Sequence, residues 1–453
     1  MRKLLSTAAV IAPIILASTS MTTAYAGDPV VKFERYKLDN GLEVILHQDN
    51  SVPLVAVNVW YHVGSGNEVV GKSGFAHLFE HMLFQGSEHV GEDRHFEVLK
   101  TIGATGVNGT TNSDRTNYFE VIPSNQIEVG LWLESDRMGY LLGTVNKKSL
   151  DNQIEVVRNE RRQRIDNVPY GPSDMKTAEV LYPEGHPYRY SVIGRHQDLT
   201  SASVEDVKNF YRKWYVPANA TLTLAGDFEI NEAKKLVAKW FGSFPKGLKP
   251  TTKYPPIPRI DKTIRVEVPD PLAKLRKVSY VWHTPPFYKD GDAELDVLAN
   301  ALGESGTGRL YKILVYDKQL AQSVRVYQDS AQLSSTFHID VLIKTGADMK
   351  LVEQILDQEI ERIRREPIST AEFNRALTGI EARMIWGLEG INARANLLQR
   401  YNHYLGNPDS IGTDLDRYRK SNPEKVRATA ARFLGKQNRA EIVTLPAAKP
   451  AAK

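Results

Sequence analysis

The amino-acid sequence predicts an α+β protein of two homologous domains, each a mainly antiparallel sheet packed with helices. Three observations carry this expectation. A proline-rich stretch divides the chain near its middle, and a helix–turn–strand ending recurs on both sides of it. The composition, 42% apolar and 25% charged, is that of an ordinary globular chain and excludes a disordered protein, a fibre and a multispan membrane protein.

The 453 residues suit two or three domains at roughly 100–200 residues each. With no Cys in the sequence, a disulfide scaffold, thiolate metal sites and a cysteine nucleophile are excluded. Any metal must be held by His, Asp or Glu. At the start, Arg2 and Lys3 precede the apolar run Leu4 to Ala17, and Ala24-Tyr25-Ala26 fits a small-x-small cleavage site. Residues 1–26 read as a secretory signal peptide, which makes export to a bacterial periplasm the simplest compartment. Removing Arg2 and Lys3 lowers the formal charge from +4 to +2. That balance predicts no nucleic-acid patch. No other apolar run approaches 18 residues, so no stable membrane insertion is expected.

The first domain is expected over 27–244. Pro245 to Lys262 holds five prolines, which fit neither a helix nor a central strand, so 245–262 reads as a linker. The second domain follows over 263–445. The tail 446–453 contains only Ala, Pro and Lys and reads as disordered.

The duplication shows in the order of elements. Val204 opens a helix running to Trp214-Tyr215, followed by a Pro-Ala-Asn turn and the strand Thr221 to Ala225. Pro423 opens a helix running to Phe433-Leu434, followed by Asn438 and the strand Glu441 to Leu445. Asn219 and Asn438 stand at the same offset as Val207 and Val426, and the strand candidates Val57–Trp60 and Ser279–Trp282 nearly keep it.

The chemistry concentrates in Gly74-Phe-Ala-His77-Leu-Phe-Glu80-His81-Met-Leu-Phe84. At about 100° per residue, His77, Glu80 and His81 share roughly a third of a helix circumference. Two imidazoles one turn apart can ligate one metal ion, and burying them among so many apolar neighbours is costly without such a partner. Catalytic zinc requires three protein ligands and water. The third candidate lies in Asn152 to Gln163, a charged helix with an Ile154, Val157 stripe, where Glu155 and Glu160 are both available. Spacing alone does not choose between them.

His77-x-x-Glu80-His81 resembles the inverted zinc motif of the pitrilysin/insulysin metallopeptidases, in particular their processing-peptidase-like branch. The resemblance extends through Asn108 to Tyr118, Val156-Val157-Arg-Asn-Glu160, Gly185-His-Pro-Tyr188, Tyr211 to Asn219 and Ala225-Gly-Asp227. It covers essentially the whole chain after the signal peptide. It implies one Zn²⁺ per chain on His77, His81 and Glu160, with Glu80 as general base for hydrolysis of a peptide bond. It also implies that Asn108, Gly109, Thr110 and Thr111 belong to an edge strand that binds extended peptide through its backbone, and that the two domains form a half-shell around a chamber.

Two departures qualify this. The family often carries a Glu seven residues before the zinc Glu; here a supporting position is held by Gln153, which offers a hydrogen bond but no charge. In the second domain the family pattern places an Arg and a Tyr where this chain has Val315 and Gln322, while Arg309 and Tyr311 match only its start and read as structural. The expectation is therefore a zinc-bearing catalytic subunit, acting on short unfolded peptides. A homologous partner, lacking the zinc motif but carrying the Arg/Tyr pair, would complete it as a heterodimer. The alternative is a non-catalytic peptide-binding or assembly subunit with a vestigial zinc site. The remaining histidines, among them His62 and His403, have no ligand spacing, and His186, in a turn before Pro187, reads as structural.

Overall fold

The computed structural model describes residues 28–252 and 254–447. The signal-peptide segment and all but the first two residues of the expected tail lie outside this range. β1 (Glu34–Lys37), β2 (Glu43–Gln48), β3 (Leu54–Tyr61), β4 (Thr105–Thr111), β5 (Thr116–Pro123) and β6 (Ala220–Gly226) form a six-stranded sheet in the order β1-β2-β6-β3-β5-β4. β7 (Ile264–Asp270), β8 (Lys277–Thr284), β9 (Ala321–Asp329), β10 (Ser335–Ile343) and β11 (Arg439–Pro446) form a five-stranded sheet in the order β7-β11-β8-β10-β9. With β1 set aside, the second sheet repeats the first strand for strand. Each is antiparallel except for one parallel pair, β2 with β6 and β7 with β11. The fold is thus α+β in two homologous halves. Residues 245–262 carry no regular secondary structure among those described.

The strands are rich in Val, Ile, Thr and aromatic residues, which suit a pleated, half-buried surface. One face of each sheet is covered by its own helices. Val57, Val59 and Tyr61 of β3 pack with Leu78, Phe79, Leu131 and Val207. Tyr280 and Trp282 of β8 pack with Leu295, Leu298, Leu356 and Val426.

The opposite faces are covered by an exchange. The helix Gly171–Leu181 of the first half lies against β11 and β7, and the helix Ile391–Leu405 of the second half lies against β3 and β6. Ala56 and Ala225 let Ile391 and Ala395 approach closely. Gln399 Nε2 donates to the carbonyls of Asn58 at 3.1 Å and Thr221 at 2.8 Å. Neither half is self-contained, because each lends a helix to its neighbour's sheet. An amphipathic helix shows from its sequence which face it buries, but not which sheet receives it.

Arg309 has the structural role its sequence context suggests. Its guanidinium grips both oxygens of Glu372, at 2.6 and 2.8 Å, and Glu359 Oε1 at 3.0 Å, tying together the helices Met349–Arg365 and Thr370–Trp386. The Arg309 hydrogen bond, opposed by burial, lowers the Glu372 pKa from 4.5 to about 2. A carboxyl whose folded pKa is depressed adds stability that is present above its unfolded value and lost as pH falls through the folded one. Urea midpoints should therefore fall between pH 4.5 and 2. Arg309→Met should lower the midpoint at pH 7 and flatten that part of the profile; an unchanged profile would contradict this role.

Candidate metal centre

The motif helix Phe75–Met82 has eight residues and begins after Gly74, which sits at φ +90°. Gly74 has no side chain to cap it. Instead the Glu68 carboxylate accepts the N–H groups of Gly74 at 3.0 Å and Ala76 at 2.8 Å, satisfying donors that every helix start leaves open. Leu78, Phe79 and Met82 enter the core, leaving His77, Glu80 and His81 turned toward the helix Lys147–Arg161 and β4. The segment Ile193-Gly194 crosses the helix start so closely that a Cβ on Gly194, at φ +75°, would lie 2.3 Å from the Ser73 carbonyl oxygen. Gly194→Ala should cost about 2–3 kcal/mol, from overpacking and positive φ together. Urea denaturation checks this, and a loss below about 0.5 kcal/mol would show that the crossing relaxes freely.

Nε2 of His77 and Nε2 of His81 face one oxygen, Glu160 Oε2, at 3.6 and 3.2 Å. One ligand atom from each residue lies within 4.8 Å of the others. Zinc–ligand bonds of about 2.0–2.1 Å in tetrahedral geometry put neighbouring ligand atoms about 3.3 Å apart, so the donor set fits such an ion. Burial, then repulsion from His81, pulls the His77 pKa from 6.5 to about 4. Its imidazole is neutral at pH 7, the form that ligates. The hydrogen bond from His81, opposed by burial, holds Glu160 below the usual carboxylate range. Its second oxygen, Oε1, takes Arg164 Nη1 at 2.7 Å.

The structure separates the two Glu candidates. Glu155 is exposed and paired with Arg158. Glu160 continues the buried stripe of Leu150, Gln153, Ile154 and Val157. That stripe is a sequence signal that could have chosen Glu160 without any resemblance. Gln153 is buried, two turns before Glu160 on this face.

Glu80 is buried beside the pair. Burial raises its pKa above the usual carboxylate value, against the Thr111 hydroxyl, which donates to Oε2 at 2.5 Å. Asn108, Gly109, Thr110 and Thr111 all lie on β4, the outer strand of its sheet. Gly109 meets the motif helix so closely that a Cβ would lie 3.0 Å from both Glu80 Cγ and the Phe84 ring. The Thr111 hydrogen bond to Glu80 is a contact that sequence reasoning missed; a Thr in a Thr-Gly-rich strand carries no local mark of its partner.

Two models of one protein family match this chain. "Insulinase (Peptidase family M16)" covers 43–167, and "Peptidase M16 inactive domain" covers 201–380. The chain belongs to the M16 peptidase family. It is similar to the zinc protease PqqE of Helicobacter pylori, 29% identical over 85% of this chain and 87% of that protein. It is also similar to the uncharacterized zinc protease YmxG of Bacillus subtilis, 24% identical over 88% of this chain and 94% of that one. A crystal structure of a protease from Helicobacter pylori superposes with a TM-score of 0.86 at 25% identity, covering 92% of this chain and all of that one. Within the M16 frame, the match named for its inactive domain lies largely in the half without a His-x-x-Glu-His. There the helix Asp292–Gly303 follows β8 as the motif helix follows β3, and it holds no histidine. No described helix is long and apolar enough to cross a membrane.

Proposed function

We propose that this chain is the zinc-bearing subunit of an endopeptidase that cleaves short unfolded peptides, with one zinc ion on His77, His81 and Glu160. The observation that carries this reading is the convergence of two imidazole nitrogens and one carboxylate oxygen beside a buried Glu80, next to a free sheet edge. A zinc ion bound there supplies a Lewis acid that polarises the scissile carbonyl and acidifies water. Glu80 takes the proton from the attacking water and returns it to the leaving amine. Thr111 holds Glu80 Oε2, while Oε1 carries no hydrogen bond among the described residues and is available for that transfer. The unpaired edge of β4 takes the peptide backbone as a further strand, which favours unfolded chains over folded ones.

The division of labour belongs to the same proposal. Val315 and the exposed Gln322 offer neither a cation nor a phenol, so a homologous subunit with the Arg/Tyr pair supplies them in a heterodimer. Residues 1–26 direct the protein to the periplasm. The test is cleavage of a quenched unstructured peptide by the zinc-loaded chain, alone and mixed with such a subunit. Strong activity only in the mixture is expected; full activity of the chain alone would overturn the divided site. The second reading, a non-catalytic subunit with a vestigial metal site, is favoured by Gln153, Val315 and Gln322, and predicts no turnover in either case.

A further inference from the structure

We propose that Arg115 binds a carboxylate of the peptide substrate, on the face of β4 turned away from Glu80. This rests on the peptidase reading and adds to it a substrate class: peptides with an acidic group at one set of alternating positions.

A cavity of about 1180 Å³ lies between the two halves, walled by β5, β9 and the helices Asp292–Gly303 and Thr370–Trp386, with Thr110 and Arg115 at its β4 side. Arg115 is held there by neutral acceptors. Its Nη1 donates to the Thr110 carbonyl at 2.7 Å, to Asn117 Oδ1 at 2.9 Å, and to the Thr110 hydroxyl. The guanidinium lies over the Trp60 ring, 5.1 Å from its centroid. Among the described residues its Nε is buried without a hydrogen-bond partner, and none of the ion pairs they form involves Arg115. The nearby acids are otherwise engaged. Asp114 accepts from Tyr188, from Tyr404 at 3.0 Å and from the Gln332 N–H at 3.0 Å. Across the cavity, Asp414 is held by Arg417 at 2.6 Å and Asp296 by the Tyr418 hydroxyl at 2.8 Å.

A largely buried cation that feels Glu80 and Asp114 only at a distance, with no carboxylate in direct contact, gains from an anion supplied from outside. A guanidinium fork suits a carboxylate in particular. The strand geometry brings one to it. Side chains alternate across a strand, so Gly109 and Thr111 face Glu80, while Asn108 and Thr110 belong to the other face and Thr110 lines the cavity. A peptide paired along β4 alternates in the same way. Every second side chain points to the motif helix, and the others point to the Arg115 side.

The experiment measures binding in full-length mature Glu80→Gln protein, which holds peptide without consuming it. The probes are fluorescent unstructured peptides with one Glu moved along the sequence, each with a Gln twin, and with free or amidated C-termini. Glu at positions of one parity should tighten binding about tenfold over its twin, the scale of one charge-assisted bond. In the Arg115→Gln variant the ratio should fall to about one, and Arg115→Lys should restore it in part. Unchanged binding of the Gln twin by that variant reports an intact edge strand. A preference confined to the free C-terminus would assign the terminal carboxylate as the ligand and overturn the alternating side-chain assignment. A ratio near one in the Arg115 protein, a ratio that Arg115→Gln leaves alone, or no binding of either twin overturns the proposal. Cleavage by the Glu80 form with no Glu preference would sink Arg115 while sparing the peptidase reading; a Glu preference without cleavage would do the reverse.

Discussion

Glu80→Gln should lower the turnover of an unstructured peptide by about 10³-fold, the middle of the range for loss of a positioned acid–base group, while leaving zinc content at one ion per chain. The amide keeps the size of the side chain and can still accept from Thr111, so the helix and its neighbours should be undisturbed. What it loses is the capacity to take a proton from water and deliver it to the leaving nitrogen. Turnover and metal analysis on the same sample separate the two consequences. Unchanged turnover would remove Glu80 from the mechanism, and loss of the metal would make it a structural support of the ligands.

Glu160→Gln should weaken zinc binding by more than about 100-fold, because even a supporting residue around a metal site is worth 10–100-fold and here a charged donor itself is lost. His81→Ala should do the same. Glu155→Gln on the same helix should change neither affinity nor stability beyond about 0.5 kcal/mol, as an exposed residue outside the donor set. Competition with a chelator of known affinity measures all three. Equal losses at Glu155 and Glu160 would mean that the charge of the helix, not the Oε2 position, controls the metal.

The motif helix was legible because its chemistry is local. Three residues at i, i+3 and i+4 define a face by helix geometry alone. Glu160 is different. It lies five residues beyond Glu155, about 140° round the helix, and which of the two faces the histidines depends on how that helix docks. The stripe Leu150, Ile154, Val157 encodes the docking face, and it points to Glu160.

The duplication was legible in its endings, Asn219 with Asn438, because a turn and a strand follow each helix directly. The pairing of β2 with β6 was not, since the two strands are separated by most of the first half. The crossing of the helices Gly171–Leu181 and Ile391–Leu405 to opposite sheets was hidden for a similar reason. The helix Gly171–Leu181 buries Gly171, Ser173 and Leu181, too few apolar side chains to mark a face, and no helix sequence names the sheet that receives it. The edge strand was legible only through family resemblance. Thr-Gly-Val-Asn-Gly-Thr-Thr lacks the alternation of a half-buried strand, because Gly109 is there for close approach to Glu80 and Phe84.

The central claim is that His77, His81 and Glu160 hold a catalytic zinc ion served by Glu80. The most direct test is peptide turnover as a function of zinc added back to chelated protein, in the presence of the complementary subunit. Turnover should be absent without metal, rise with occupancy and reach its plateau at one ion per chain. Turnover that persists in fully chelated protein, or is absent at full occupancy, would contradict the account.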